Sequence, residues 1–169
     1  MAYELTTPAD LTTVRTALGL QLLQVGYWEN RGWGSTPSAA VPLDDTTPTS
    51  TEMNLEMIVK AFTPRSATSK LIITLTAQVY AATAALSVLG LFKDAGTSPL
   101  DARMMTIPGG GWADQTLTFV EASGSTTART YRHKIGGISN LIYTNGSSGS
   151  RQLGGSLAST MTILEVQDV

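Results

Sequence analysis

The sequence predicts an all-β protein built as an antiparallel sandwich of two sheets. Three observations lead to this prediction. Apolar and polar residues alternate along most of the chain beyond Met53, turns containing Gly, Pro, Ser or Asn separate the alternating runs, and none of these runs has helical spacing. Strands that are joined by short turns pair antiparallel, because a parallel pair requires a long crossover.

Each alternating run is predicted to be one strand. The predicted strands span residues 53–62, 70–80, 85–94, 112–122, 129–137 and 140–146, followed by a C-terminal strand with Leu157, Met161 and Ile163 on one face. Thr97–Gly111 is predicted to be a long loop. Seven or eight strands fit a two-sheet jelly roll of about eight strands, which we assign to residues 51–169. Several strands are apolar on both faces, and this favours packing of the sandwich against copies of itself.

The N-terminal residues have a different pattern, which predicts a short helix. Thr7–Asp10 reads TPAD, a hydroxyl cap followed by proline and a carboxylate, and Leu11, Val14, Leu18 and Leu22 then follow helical spacing. Such an amphipathic helix either closes its own domain or docks on a partner or on neighbouring copies. We favour docking, because the residues that follow do not indicate tight packing.

Gly26–Ser50 is predicted to be an extended arm, since its prolines and glycines interrupt any regular element. The arm carries Tyr27, Trp28 and Trp33, and such aromatic residues are enriched at binding hot spots. The alternative is that these rings cap the core. We therefore predict an N-terminal helix and arm over residues 1–50 that anchors the sandwich to a partner.

Composition excludes several classes of function. A net charge of −2 gives no reason to expect binding to nucleic acid or to an anionic membrane. The absence of cysteine excludes disulfides and thiolate sites. Charged residues make up 14% of the chain, against about 25% in an average domain, which favours a protein that buries much of its surface. The N-terminus lacks the pattern of a signal peptide, so we expect assembly in the cytoplasm of a host cell.

The candidate residues for chemistry do not predict an enzyme. His133 is the single histidine, and Arg132 and Lys134 on either side oppose its protonation; we predict a strand-surface or interface position. Gly109–Gly111 lacks the Lys and Ser or Thr of a phosphate loop. Asp44–Asp45 begins no spaced series of calcium ligands. We therefore expect no catalytic residue, no metal site and no cofactor.

A basic cluster is predicted near the end of the chain. It consists of Arg129, Arg132, Lys134 and Arg151. These residues either bind an anionic glycan or an acidic partner, or form a solvated strand face with one charged loop residue. The solvated face is the more frequent arrangement.

Four stretches, taken in order, carry a resemblance to a known family. They are Pro42-Leu43 followed by DDTTPTSTE, then TPRSATSKLIITL, LGLFKDAGTSPLDA and YTNGSSGSRQLGGSLASTMTILEV, which together run from residue 42 to residue 166. The chain resembles the short jelly-roll proteins and fibre-tip domains of tailed bacteriophages, which look like the trimeric jelly rolls of the tumour-necrosis-factor and complement type. The resemblance implies a homotrimeric virion protein and carries over no catalytic residue.

The first functional hypothesis is a homotrimeric jelly roll that decorates or cements a phage capsid, or forms a short head fibre. Its partners are further copies of itself and the major capsid protein or another virion protein. The short segment that follows Met1 leaves no room for a shaft, which favours the head over the tail. The predicted docking residues are Leu11, Val14, Leu18, Tyr27, Trp28 and Trp33.

The alternative hypothesis is a receptor-binding module of the tail-fibre type that recognises host-surface glycan. Long loops at one end of a jelly roll supply such contacts. The candidates are Thr97–Gly111 with Trp112, and the loop from Asn145 to Arg151. Aromatic and hydroxyl-rich surfaces suit sugars.

Overall fold

A computed structural model describes residues 19–37 and 41–168, and this part of the chain is all-β. The strands are β1 (Leu20–Asn30), β2 (Gly34–Ser35), β3 (Leu55–Phe62), β4 (Lys70–Ala81), β5 (Ala85–Lys93), β6 (Asp101–Ile107), β7 (Gly111–Ala122), β8 (Arg129–Ile138), β9 (Tyr143–Thr144), β10 (Gly146–Ser147), β11 (Ser150–Arg151) and β12 (Ser159–Asp168). A 3-10 turn, Leu153–Gly155, precedes β12. The prediction of an all-β protein is confirmed.

The long strands form two antiparallel sheets. In the first sheet the order is β1-β12-β4-β7, with β9 continuing along β4 beyond the end of β12 and β2 paired to β9. In the second sheet the order is β3-β8-β5-β6. Both sheets are antiparallel throughout, as the short turns of the sequence predict.

The core lies between the two sheets and follows from the alternation within each strand. Leu71, Ile73 and Leu75 of β4 are fully buried, and Leu89 and Leu91 of β5 meet them from the second sheet as members of the same cluster. Alternate residues of β4 point to the opposite, outer face and are only partly buried. Two sheets whose inner faces interdigitate in this way form a β-sandwich.

A second apolar cluster covers the outer face of the second sheet. Val41 and Met53 pack there against Val88, Phe92 and Ile138. Two glycines of the sheet leave space for them: a Cβ on Gly90 would lie 2.7 Å from Met53 Cε, and one on Gly136 would overlap Val41 Cγ2. Residues 41–53 therefore fold back onto their own sandwich, and the prediction that they belong to an extended arm is wrong.

Strand β1 also corrects the N-terminal prediction. Leu22 lies in this strand, paired with Val166 of β12, so the helical spacing does not extend to it. Gly26, Tyr27 and Trp28, assigned to the arm, lie in the same strand. The partner strand β12 supplies hydrogen bonds along the whole segment, and this outweighs a weak local pattern. Leu11, Val14 and Leu18 lie outside the described residues.

The segment predicted as a long loop, Thr97–Gly111, contains β6. This strand pairs with β5 along its whole length, from Asp101 opposite Leu91 to Ile107 opposite Ala85. The strand is mostly exposed and its alternation is weak, because it forms the edge of the second sheet. The predicted strand 140–146 is shortened to β9, since Asn145 adopts a left-handed backbone with φ 54° and ends it.

A buried carboxylate ties the two sheets together at one end. Glu165 of β12 is fully buried and accepts hydrogen bonds from the backbone N–H groups of Arg65 and Ser66, each at 2.9 Å, and from Ser69 Oγ at 2.6 Å. Gln24 Nε2 of β1 donates to it at 2.6 Å. Burial raises the pKa of Glu165, but these hydrogen bonds outweigh burial and hold the pKa below its ordinary value.

Removing this carboxylate is expected to destabilise the fold. Glu165→Ala leaves several buried donors without an acceptor, which costs about 3–5 kcal/mol of unfolding free energy when a buried charged network is broken. Glu165→Gln keeps one acceptor oxygen and is expected to cost less. Urea denaturation at neutral pH measures both, with the exposed Glu29→Gln as control.

The same carboxylate has a pH dependence of known sign. Because its folded pKa is lowered, its contribution is present above the ordinary carboxyl pKa and is lost as the pH falls through the folded pKa. The stability of Glu165→Gln is therefore expected to depend less on pH in the acid range. Equal acid sensitivity of both proteins would contradict this role.

Candidate functional site

The outer face of the first sheet carries an apolar band. Val25 of β1 is paired with Leu164 of β12, Leu164 with Ile72 of β4, and Ile72 with Val120 of β7, so one row crosses all four strands. Val25 is 54% and Val120 53% exposed. Leu22, also exposed, lies beside this row. Within the described residues, no segment covers this band in the way that residues 41–53 cover the second sheet.

Threonine rows lie next to the apolar band. One row crosses the sheet as Thr162, Thr74 and Thr118, and the next as Thr160, Thr76 and Thr116. Oγ1 atoms meet across strands at 3.2 Å between Thr74 and Thr118 and at 2.7 Å between Thr76 and Thr160. These contacts follow from β-branched side chains directly opposite one another. The face therefore changes from apolar to hydroxyl-bearing along the strands.

An aromatic strip ends the same sheet beyond the threonine rows. Tyr80 of β4 is paired with Trp112 of β7, and their ring centroids lie 5.0 Å apart. Tyr143 of β9 lies 6.1 Å from Tyr80 on the other side, and Trp33 stacks on Tyr143 at 6.1 Å with 25° between the ring planes. Trp112 is 42% and Trp33 39% exposed, so both ends of the strip reach solvent.

A groove runs beside Trp112. Its walls are Trp112 on one side and the segment with Leu153 and Leu157 on the other, and Gln78 and Gln152 also line it. The segment turns back over the sheet because consecutive residues adopt left-handed backbone, with φ 49° at Leu153 and 61° at Gly154. Gln78 extends into a neighbouring depression lined by Asp114, Thr76, Thr116 and Ser156.

Gln78 has an unpaired acceptor. Its Oε1 atom is buried, and none of the described residues donates a hydrogen bond to it. Such an atom ordinarily has a partner, because an unmade hydrogen bond costs free energy. The groove thus combines an exposed aromatic ring with a buried oxygen that accepts a hydrogen bond.

The predicted docking residues of the arm are separated by the structure. Tyr27 is 58% exposed on the outer face of the first sheet, beside the apolar band. Trp28 points inward, packs against the core and meets Phe62 edge to face at 6.5 Å, so it is not available for docking. Trp33 belongs to the aromatic strip, and its Nε1 donates to Ser147 O at 2.9 Å.

The predicted glycan contacts are also separated. Trp112 is exposed at the groove. Asn145 is fully buried, where its Nδ2 donates to the carbonyl oxygens of Asn30 and Gly32, so it holds the chain and does not contact a ligand. Arg151 is exposed and its guanidinium packs over Gly155. Sequence reasoning missed Gln78, Tyr80 and Tyr143.

The basic cluster is not a solvated face. Lys134 Nζ donates to Ser50 O at 2.6 Å, and Arg132 Nη2 donates to Gly96 O at 2.6 Å, so both hold covering segments on the second sheet. Arg129 is mostly buried 3.7 Å from Glu121. Only Arg151 lies on the surface near the groove segment. These four cations do not form one anion-binding site.

His133 is buried, which corrects the prediction of a surface position. It lies in β8 between Ile58 of β3 and Leu91 of β5, is fully buried, and neither ring nitrogen has a partner among the described residues. Burial lowers its pKa from 6.5 to about 3. The ring is therefore neutral at physiological pH and acts as a core side chain.

Two further searches of the described residues gave no site. Nowhere in 19–37 or 41–168 do three His, Asp or Glu side chains gather as metal ligands would. The same ranges contain no helix long and apolar enough to cross a membrane.

No protein-family model and no curated protein matches this sequence. Similar solved structures include one described as "CBM4 structure and function" (12% identity, TM-score 0.39, 68% of this chain and 84% of that chain). Others are the T13 IBDV viral particle (10%, 0.41, 86% and 38%) and the sugar-binding EclA C-terminal domain (12%, 0.31, 85% and 77%). With identities of 12% or lower, these likenesses assign neither a family nor a function.

The buried histidine gives an acid-sensitive fold. The unfolded ring takes up a proton below its ordinary pKa of 6.5, whereas the folded ring stays neutral to about pH 3, so its contribution is complete above pH 6.5 and is lost as the pH falls towards 3. The loss is about 1.4 kcal/mol per pH unit within this window. His133→Leu is expected to remove this part of the acid dependence in denaturation curves.

A direct measurement does not depend on how the variant folds. Because the chain has one histidine, the ring proton signal in an NMR titration belongs to His133. We expect no titration near pH 6.5 in the folded protein. A midpoint near 6.5 would show that the ring is accessible and would contradict the assignment.

Proposed function

We propose that this β-sandwich is a jelly roll and that the chain is a non-catalytic bacteriophage virion protein. In this proposal it forms a homotrimer that decorates or cements the capsid, or makes a short head fibre, after assembly in the host cytoplasm. The strand orders β1-β12-β4-β7 and β3-β8-β5-β6 support the jelly roll, because eight main strands form two facing sheets and the chain passes between them repeatedly.

The observation that carries the proposal is the exposed apolar band on the first sheet. A row of Val25, Leu164, Ile72 and Val120 across four strands stabilises a contact when another protein covers it, by about 25 cal/mol per Å² of apolar surface. The chain covers the corresponding face of its second sheet with its own residues. The uncovered face is the one proposed for contact between copies.

A second candidate function is recognition of host-surface glycan by a receptor-binding module. One specific observation favours it: the aromatic strip of Trp33, Tyr143, Tyr80 and Trp112 reaches solvent at both ends. The strip lies at one end of the sheet, apart from the apolar band. The two functions therefore use different surfaces and are compatible in one protein.

Placing a charge in the apolar band is expected to break the trimer. Val25→Asp buries a carboxylate in the proposed contact, and we expect at least tenfold weaker association because an unpaired buried charge is costly. Sedimentation analysis of the purified chain measures this. Met104→Asp, at a similarly exposed residue of the second sheet, is the control. A monomeric wild-type chain, or a trimer that only Met104→Asp dissociates, would sink the proposal.

Attachment to the particle is tested separately. Deleting residues 1–18 removes the predicted docking residues Leu11, Val14 and Leu18 and leaves β1 intact. We expect a folded trimer that no longer co-sediments with phage particles lacking the protein. Deleting residues 1–30 is a poor test, because it removes β1 from the sheet. A truncated protein that still decorates particles would show that these residues are not the anchor.

A further inference from the structure

We propose that the groove between Trp112 and the Leu153–Leu157 segment binds an uncharged saccharide, with a pyranose ring on Trp112 and a hydroxyl donating to Gln78. This inference deepens the second candidate function and rests on it. It names one site and one class of sugar.

The first argument is the unpaired acceptor. Gln78 Oε1 is buried at the groove, and no donor among the described residues reaches it. A ligand that supplies an O–H group removes the cost of this unmade hydrogen bond. A purely apolar partner, such as a leucine-rich face of another protein, would leave the oxygen unpaired.

The second argument is the shape and chemistry of the walls. A pyranose has faces of C–H groups and a rim of hydroxyls, so it needs an aromatic plane together with hydrogen-bonding side chains. Trp112 offers a plane that is 42% exposed, and Leu153, at 72%, adds apolar surface opposite. Asp114, Thr116 and Ser156 supply hydrogen-bonding groups in the adjoining depression. Sites that bind small molecules combine such walls with a few polar groups.

The third argument is charge. Among the described residues that line the groove and its depression, Asp114 is the one charged side chain, and it is negative. Saccharides with carboxylate or sulfate groups are therefore disfavoured. Single-stranded nucleic acid also stacks on aromatic rings, but it needs cations along its phosphates, and the lining offers none.

The fourth argument is the continuation of the groove into the aromatic strip. From Trp112 the rings follow at centroid distances of 5.0 Å to Tyr80 and 6.1 Å from there to Tyr143. Steps of this size are comparable to the length of one sugar in a chain. A ligand of several units therefore gains further ring contacts, and we infer an oligosaccharide as the preferred form.

The test uses the full chain in affinity electrophoresis through gels that contain one polysaccharide each. The neutral probes are dextran, galactomannan and a mixed-linkage β-glucan, and the charged probes are alginate and hyaluronate. We expect retardation by at least one neutral polysaccharide and by neither charged one. Isothermal titration with oligosaccharides of the retarding polymer then gives the affinity.

Three variants locate the site. Trp112→Ala is expected to weaken binding about tenfold or more and Trp112→Phe to restore part of it, because the plane is retained. Gln78→Met removes the acceptor at similar size and is expected to weaken binding about tenfold. Tyr27→Ala is the matched control, since Tyr27 is an exposed aromatic residue of the same sheet face outside the groove. Circular dichroism confirms that each variant is folded.

The outcomes separate this inference from the proposed functions. Binding to charged polysaccharides alone overturns the inference and leaves a receptor function elsewhere on the chain. Neutral binding that Trp112→Ala and Gln78→Met do not change overturns the site. A Trp112→Ala variant that changes the oligomeric state instead makes the groove a subunit contact and also overturns the inference. Failure to bind any probe overturns both the inference and the glycan function, while the trimer is decided by Val25→Asp.

Discussion

The sandwich depends on one buried carboxylate at the end where the chain passes from the second sheet to the first. Glu165 lies on β12, the strand that joins β1 to β4, and it accepts the backbone N–H groups of Arg65 and Ser66 in the β3–β4 connection. Gln24 adds β1 to the same network. Because an ionised group without partners is not tolerated in a core, the turn, the edge strand and β12 must adopt their positions together.

The two sheets differ in how their outer faces are satisfied, and this difference decides which surface is left for function. Residues 41–53 cover the second sheet, where glycines at 90 and 136 admit Val41 and Met53. The first sheet presents the apolar band, the threonine rows and the aromatic strip in sequence along its strands. Assembly and ligand binding are therefore both directed to this face, at opposite ends.

Local patterns predicted those parts of the fold that local interactions decide. Period-two alternation located β3, β4, β5, β7, β8 and β12 to within a few residues. It failed for β1, whose leucines also fit a helix, and for β6, an edge strand with weak alternation. At the candidate site Trp112 was identified, whereas Asn145 and Trp28 were assigned to contacts although both are internal. The virion assignment and the trimer remain predictions.

The sequence by itself determined the class of fold, the low charge and the absence of thiol chemistry, since these follow from composition and from spacing within single strands. Only the tertiary structure decided that β1 joins β12, that His133 is a neutral core residue, and that Tyr80, Tyr143 and Trp112 form one strip. Alternation states which residues of a strand share a face, but not which strand lies beside it. That choice depends on the burial available across the whole chain, and the groove with its unpaired Gln78 oxygen is one of its results.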